Sequence, residues 1–241
     1  MRGTTSFRPI ERRRAFEEVV LQIEEAIAAG DLRAGDRLPS ERELAVIFEV
    51  SRNSVREALR ILEAFGVIAA RQGRGPDAGS VVTAVERNGL SGMLRLYATV
   101  LRIPLQDLVD VRVALEAMNA RAAAAQDGAD RVADLAREMA PGLDKDAFLR
   151  LDTEFHVALA RASGNSLAPL LMEALREAIA REMRRGFDTL EDWPGTRDRL
   201  AAEHVEIAEL VAAGDAEAAA LAVERHVRDF YRLLLEGQDR T

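Results

Sequence analysis

The sequence predicts a mainly α protein in two parts, with three helices and a β-hairpin near the N-terminus followed by an antiparallel all-helical bundle. Three observations carry this. Apolar residues recur at three- and four-residue spacings along most of the chain. Strand-like segments are confined to one short stretch, Val67-Ile68-Ala69-Ala70 and Val81-Val82-Thr83. The length of 241 residues exceeds one average domain.

In chain order, residues 13–29 carry Phe16, Val19, Val20, Ile23 and Ile27 on one helical face, and Gly30 ends that helix. A turn at Gly35-Asp36 leads into Leu38-Pro39. Ser40-Glu41-Arg42-Glu43 has the form of a capping box, in which the Ser40 hydroxyl accepts from the N–H of Glu43 and the Glu43 carboxylate from the N–H of Ser40. The short helix that follows reaches about Phe48, and Glu49-Val50 forms a turn. Ser51 caps a third helix that runs to about Phe65 and closes at Gly66 in a left-handed conformation. The segment RQGRGPDAGS between the two strands reads as a hairpin tip. Three helices and a hairpin within about 75 residues are the layout of a winged helix-turn-helix.

Residues 10–84 are expected to form this head, 85–93 a polar linker, and 94–236 the bundle. Bundle helices are expected at 94–101, 105–126, 129–139, 145–163, 166–185, 195–213 and 215–236, broken at Pro104, Gly128, Pro141-Gly142, Gly164-Asn165, Pro194-Gly195 and Gly214-Asp215.

Composition narrows the function. The chain has no cysteine, so disulfides and thiolate metal sites are excluded. No apolar run approaches the roughly 18 residues that span a bilayer, and the N-terminus has no apolar signal core. A cytoplasmic location with no membrane partner is expected. The net charge of −8 lies entirely beyond residue 84; up to that point Lys/Arg and Asp/Glu balance at 13 each. A neutral head suits DNA binding when its cations share one face.

The third helix has such a face. At 100° per residue, Arg52, Asn53, Arg56 and Arg60 fall within a sector about 100° wide, and Val55, Ala58, Leu59 and Leu62 fill another centred roughly 125° away. Arginine pairs with guanine or clamps phosphate, and asparagine suits adenine or phosphate. The other reading of this stripe is a solvated helix face. The cations and flexible backbone of Arg71, Gln72, Gly73 and Arg74 at the wing tip favour DNA, because they suit a minor groove.

GDLRAGDRLPSERELAVIFEVSRNSVREALRILEAFGVI resembles the DNA-binding domain of the GntR superfamily of bacterial regulators, with LPSERELA, VSR and VREALR in order and spacing. The resemblance implies that Arg42, Arg52 and Arg56 contact double-stranded DNA, with Ser51, Asn53 and Ser54 at the helix start and the Gln72-Gly73 wing in the minor groove. The pair after VSR departs from the common pattern, so the operator sequence does not transfer. A head this small gains specificity by reading two half-sites, so a homodimer on a palindromic operator is expected.

The three histidines, His156, His204 and His226, all lie in the second part. Asp152 and His156 project from one helical face a turn apart, a metal half-site. His204 lies ten residues before Gly214 and His226 twelve after it, so a short turn sets them at similar height on neighbouring helices. An Asp/His/His/His site is one reading; isolated surface or core histidines are the other. The segments LQDLVDVRVALE, LDTEFHVALARASGN and EHVEIAELVAAGDAEAAALAVERHV resemble the FCD sensor domain of the FadR subfamily, many members of which hold a divalent metal on this residue set. The resemblance implies Zn²⁺, with Ni²⁺ and Mn²⁺ as alternatives, and a small organic acid as effector. It places Arg112 in the effector pocket, where the other reading is an ion pair with Glu116. Asn165 is either a pocket donor or a helix-junction residue.

The expected function is therefore a ligand-responsive transcriptional repressor. A purely structural metal with a separate effector pocket is an alternative. A metal-dependent bundle enzyme is another, but it lacks the paired Glu-x-x-His elements of di-iron bundles and any evident nucleophile–base pair.

Overall fold

The computed structural model describes residues 14–71, 79–83, 89–126, 128–139, 141–190 and 192–238. The chain divides into two compact units between Gly89 and Leu90.

The first unit contains α1 (Ala15–Ala29), α2 (Glu41–Ile47), α3 (Arg52–Ala64), β1 (Ile68–Arg71) and β2 (Gly79–Val82). Its core is Val19 and Ile23 of α1, Leu44 of α2, Val55, Ala58, Leu59 and Leu62 of α3, and Leu38, Ile68 and Val82 from the sheet region. The expected capping box is present: Ser40 N–H donates to Glu43 Oε2 at 2.8 Å and Glu43 N–H to Ser40 Oγ at 3.3 Å. Ser51 Oγ accepts from Ser54 N–H at 3.1 Å, which fixes the start of α3. Gly66 closes the third helix region with φ 71°, a conformation that a side chain would strain. Glu49, the turn residue between α2 and α3, takes φ 53° without being glycine.

β1 and β2 pair antiparallel with Ile68 opposite Val82 and Arg71 opposite Gly79. The segment read as a turn at Gly35-Asp36 does more than turn. Gly35 N–H donates to Val82 O, Val82 N–H to Asp36 O and Leu38 N–H to Ser80 O, each at 2.9 Å, so residues 35–38 run along β2 as a third edge. This buries Leu38 and ties the entry to α2 to the base of the hairpin.

The second unit is helical throughout among the described residues: α4 (Gly89–Val100), α5 (Leu105–Ala124), α6 (Asp130–Glu138), α7 (Lys145–Ala162), α8 (Ala168–Thr189), α9 (Trp193–Ala212) and α10 (Ala216–Gln238). α4 begins inside the segment expected to be linker. Leu90, Leu94 and Ala98 continue the helical spacing there, although Gly89 and Gly92 interrupt it in sequence. Pro194 and Gly195, expected as a break, form the first turn of α9. A proline there forfeits no helical bond, and the Asp192 carboxylate caps the turn by accepting from Gly195 N–H at 2.9 Å. Asp144 caps α7 in the same way through Ala147 N–H at 2.7 Å.

α5 is the central helix, packed against α7, α8, α9 and α10. Its alanines Ala117, Ala120, Ala123 and Ala124 are buried and let neighbouring helices approach closely. The same helix carries three buried polar residues on one face, Arg112, Glu116 and Asn119. Burying these groups costs free energy unless they are paired, and that points to the site.

Candidate functional site

On α3, Val55, Ala58, Leu59 and Leu62 are buried, while Arg52, Asn53, Arg56 and Arg60 are exposed, as the two-faced pattern predicts. Arg42 is exposed on α2. Ser51 and Ser54 lie 2.9 Å apart through their hydroxyls at the N-terminus of α3. Arg56 is held from one side: its Nε donates to Glu41 Oε1 at 3.2 Å and its Nη2 to Glu41 Oε2 at 2.9 Å. Gln72, Gly73 and Arg74 lie outside the described residues.

In the second unit the turn at Gly214 returns the chain antiparallel and brings α9 against α10, and α7 packs on α5. Asp152 and His156 of α7, His204 of α9 and His226 of α10 converge, each offering one ligand atom, and these atoms all lie within 4.8 Å of one another. Bonds of about 2.1 Å to a common ion would place adjacent ligand atoms about 3 Å apart and opposite ones about 4.2 Å apart. His156 Nε2 lies 3.5 Å and His204 Nε2 3.2 Å from the same oxygen, Asp152 Oδ1. His226 turns Nδ1 outward to Glu203 Oε2 at 2.7 Å, which leaves Nε2 for the cluster. His156 likewise sets Nδ1 against Glu116 Oε2. Both rings therefore have the carboxylate partner on the far nitrogen that metal-ligating histidines usually have. The second Asp152 oxygen is held by Arg176 Nη2, which also reaches Thr153 Oγ1 at 3.0 Å.

The electrostatics suit a cation. Burial alone pushes the Asp152 carboxyl up, but the Arg176 guanidinium and the contacts with His156 and His204 outweigh it and hold the group well below the usual carboxylate range. Glu116 is likewise lowered: burial opposes ionisation, and Arg112 and then His156 overcome it. His204 is lowered to about 4, first by burial and then by the charge of His226, so its ring is neutral and able to ligate near neutral pH. Two further groups are deeply buried without partners: both amide atoms of Asn119, and Nε and Nη1 of Arg176. Nδ1 of His204 shares that condition. Unpaired buried groups cost about 1–3 kcal/mol each, and a polar group or ion seated among these atoms would remove that cost.

Comparison with known proteins places the chain. Residues 15–76 match the model of bacterial regulatory proteins of the gntR family, and residues 107–229 match the FCD domain. The transcriptional regulator LutR of Bacillus subtilis is 35% identical over 215 residues, covering 84% of this chain and 94% of that protein. The Glc operon transcriptional activator of Escherichia coli K12 is 31% identical over 241 residues, with 94% and 93% covered. The chain belongs to the GntR family. It is a DNA-binding transcriptional regulator with an FCD domain, in keeping with the FadR subfamily, and not an enzyme. A putative L-lactate dehydrogenase operon regulatory protein of Escherichia coli K12 is 30% identical over 222 residues, 89% of this chain and 84% of that one. The solved structure of a Streptococcus agalactiae GntR shares the fold, with a TM-score of 0.63 at 23% identity over 90% of this chain and 99% of that one. No described helix is long and apolar enough to cross a membrane.

In this GntR-family chain Arg112 makes the ion pair with Glu116 that one of its two readings predicts. Its Nε donates to Glu116 Oε1 and its Nη1 to the Tyr231 hydroxyl at 3.0 Å, so it is a buried ion-pair member one contact removed from His156. Asn165 stands at a helix junction, as the second of its two readings has it. It is exposed at the α7–α8 junction, where its Oδ1 accepts from Leu167 N–H at 3.0 Å, and Asn119 is the asparagine buried in the bundle. Glu116, Asn119, Arg176, Glu203 and Tyr231 were not legible as site residues from the sequence. The signal for Arg176 was present, because it shares a helical stripe with Met172, Ile179 and Met183 where an apolar residue is expected.

Proposed function

We propose that this GntR-family regulator is a repressor whose affinity for its operator is set by a small organic acid taken up at a metal-containing centre. Asp152, His156, His204 and His226 would hold the metal, Zn²⁺ with Ni²⁺ or Mn²⁺ as alternatives, because an N₃O set selects weakly among them. When bound, such an ion supplies open coordination positions that accept a carboxylate oxygen. The observation that carries this reading is the convergence of four buried ligands with unpaired Arg176 and Asn119 atoms. A carboxylate would meet the free edge of Arg176, and a neighbouring hydroxyl would meet the Asn119 amide. The name of the relative tied to an L-lactate dehydrogenase operon fits an acid of this kind.

DNA contacts are assigned to Arg42, Ser51, Arg52, Asn53, Ser54 and Arg56, with Gln72, Gly73 and Arg74 in the minor groove. The head is taken as residues 10–84 and the sensor as 94–236, acting in the cytoplasm as a homodimer on a palindrome. The exposed Leu96, Tyr97 and Val100 of α4, with Leu101 just after it, form an apolar surface of the kind that assemblies cover.

A second reading, a purely structural metal, is favoured by the near-complete burial of the four ligands. One experiment separates the two. Thermal melting is followed with L-lactate and related hydroxy acids, before and after chelation. Ligand at about a hundred times its Kd stabilises by about 2.7 kcal/mol, which is roughly 5–10 °C for a chain of this size. That shift is expected in the metal-loaded protein only. An equal shift after complete metal removal would overturn direct coordination, and no shift with any acid would favour the structural metal.

A further inference from the structure

We propose that Glu41, the first residue of α2, is a positioning residue that sets the base specificity of Arg56. This inference rests on the placing of α3 against DNA and goes beyond it, since it concerns an acidic residue in a surface assigned to an anion.

A guanidinium carries five N–H groups in a rigid planar fork. Glu41 takes two of them, Nε–H and one N–H of Nη2, in a side-on bidentate pair. The three that remain belong to Nη1 and Nη2, at the end of the plane. That end is the edge that pairs bidentately with O6 and N7 of guanine. A free arginine has several rotatable bonds and reaches either a base or the nearest phosphate. With Glu41 fixing one edge, the plane and direction of the other are set before DNA arrives, which lowers the ordering cost of base reading.

Charge acts in the same direction. Besides Arg56, the Glu41 carboxylate feels the charges of Arg52 and Arg60, and Arg56 and these neighbours keep it ionised. An anion placed there weakens attraction to phosphate at any sequence. Arg56 then contributes fully only where a base edge meets its remaining N–H groups, so Glu41 acts against non-specific binding as much as for the specific site. Backbone position supports the role. Glu41 follows Ser40, whose capping box with Glu43 fixes the first turn of α2, and Arg56 lies one turn into α3, whose start Ser51 fixes.

The bland account of the pair is a tie between α2 and α3. Magnitude argues against that as its main effect. The side chains are 44% and 34% exposed, and exposed ion pairs contribute only about 0–1 kcal/mol to stability.

The test uses the full-length chain and two duplexes. One is enriched by the native protein from a randomised library, and the other is a scrambled duplex of the same composition. Kd for both is measured at two salt concentrations for Glu41→Gln, Glu41→Asp and Arg56→Ala, together with base preference by sequencing of bound libraries. Glu41→Gln is expected to lower the ratio of specific to non-specific affinity at least about tenfold. It should leave scrambled-duplex affinity equal or higher and relax the same base position in each half-site as Arg56→Ala. Glu41→Asp should recover part of the ratio, and melting temperatures should stay within about 4 °C of the native chain. If Glu41→Gln keeps the ratio while Arg56→Ala relaxes a position, the inference falls and the assignment of Arg56 to DNA stands. If Arg56→Ala relaxes nothing, both fall. Equal weakening on both duplexes with a matching loss of thermal stability reduces Glu41 to a structural tie and also overturns the inference.

Discussion

Glu116→Ala is expected to lower folding stability by about 3–5 kcal/mol, and metal affinity by about 10–100-fold, in one substitution. Glu116 is 1% exposed and its two oxygens serve different neighbours. Oε1 pairs with Arg112, itself 2% exposed, and Oε2 lies against Nδ1 of His156. Removing the carboxylate strands the Arg112 charge inside the bundle with the Tyr231 hydroxyl at 3.0 Å as its remaining hydrogen-bond partner there. An uncompensated buried charge is the costly case, far more so than loss of the pair as a unit. The two consequences separate in a double variant. Arg112→Met with Glu116→Leu removes both charges and should recover most of the stability, because apolar residues of similar volume often replace a buried pair at little cost. It should not recover metal affinity, since His156 still lacks its orienting carboxylate. Chemical denaturation and a metal-binding titration on the single and double variants check this. Equal stability of the two, or metal affinity restored in the double, would show that the carboxylate does not have these two roles.

That double role shows where sequence reasoning reaches its end. The i, i+4 spacing of Arg112 and Glu116 made their pairing visible, because both partners sit on one helix and its pitch fixes their separation. The contact of Glu116 with His156 depends on the rotation of α5 against α7, which no local spacing encodes. The candidate metal-binding set lies between these cases. Asp152 and His156 are a turn apart on α7, and His204 and His226 flank a short turn that sets their heights, so both pairs were legible. Their meeting in one cluster required the packing of three helices. In the head, the two faces of α3 and both serine caps followed from periodicity and side-chain chemistry. The third sheet edge at residues 35–38 did not, because four residues are too short to show alternation and Gly35-Asp36 reads equally well as a turn. The junction reading of Asn165 was legible from its neighbour Gly164, which marks a break where asparagine caps the chain. The buried asparagine, Asn119, sits mid-helix with no local mark.

His204→Ala is expected to reduce bound metal from one ion per chain to almost none, and to flatten the acid limb of the stability profile of the metal-free protein. His204 is fully buried, with its Nε2 3.2 Å from Asp152 Oδ1 and its ring 4.5 Å from those of both Phe155 and His226. A three-residue remnant lacks the donor that joins α9 to the site, whereas α3 is untouched, so salt-sensitive binding to the enriched duplex should persist. The pH effect follows from the lowered value of about 4 for this ring, against about 6.5 in an unfolded chain. Between those values the unfolded chain carries a proton that the native protein does not, so stability rises with pH across the window. Acidification from about pH 6.5 to about pH 4 therefore removes stability, of order 3 kcal/mol from this ring alone in the chelated native protein. Below the lower value both states are protonated and the loss is complete. A bound metal would steepen the same limb, because ligation needs the neutral ring and protons compete with the ion. Urea melts of both chelated proteins across pH 4–7 should show a steeper acid limb for the native chain than for His204→Ala. Parallel limbs would remove His204 as the buried titrating group, and a variant that still holds one ion per chain would remove it as a ligand.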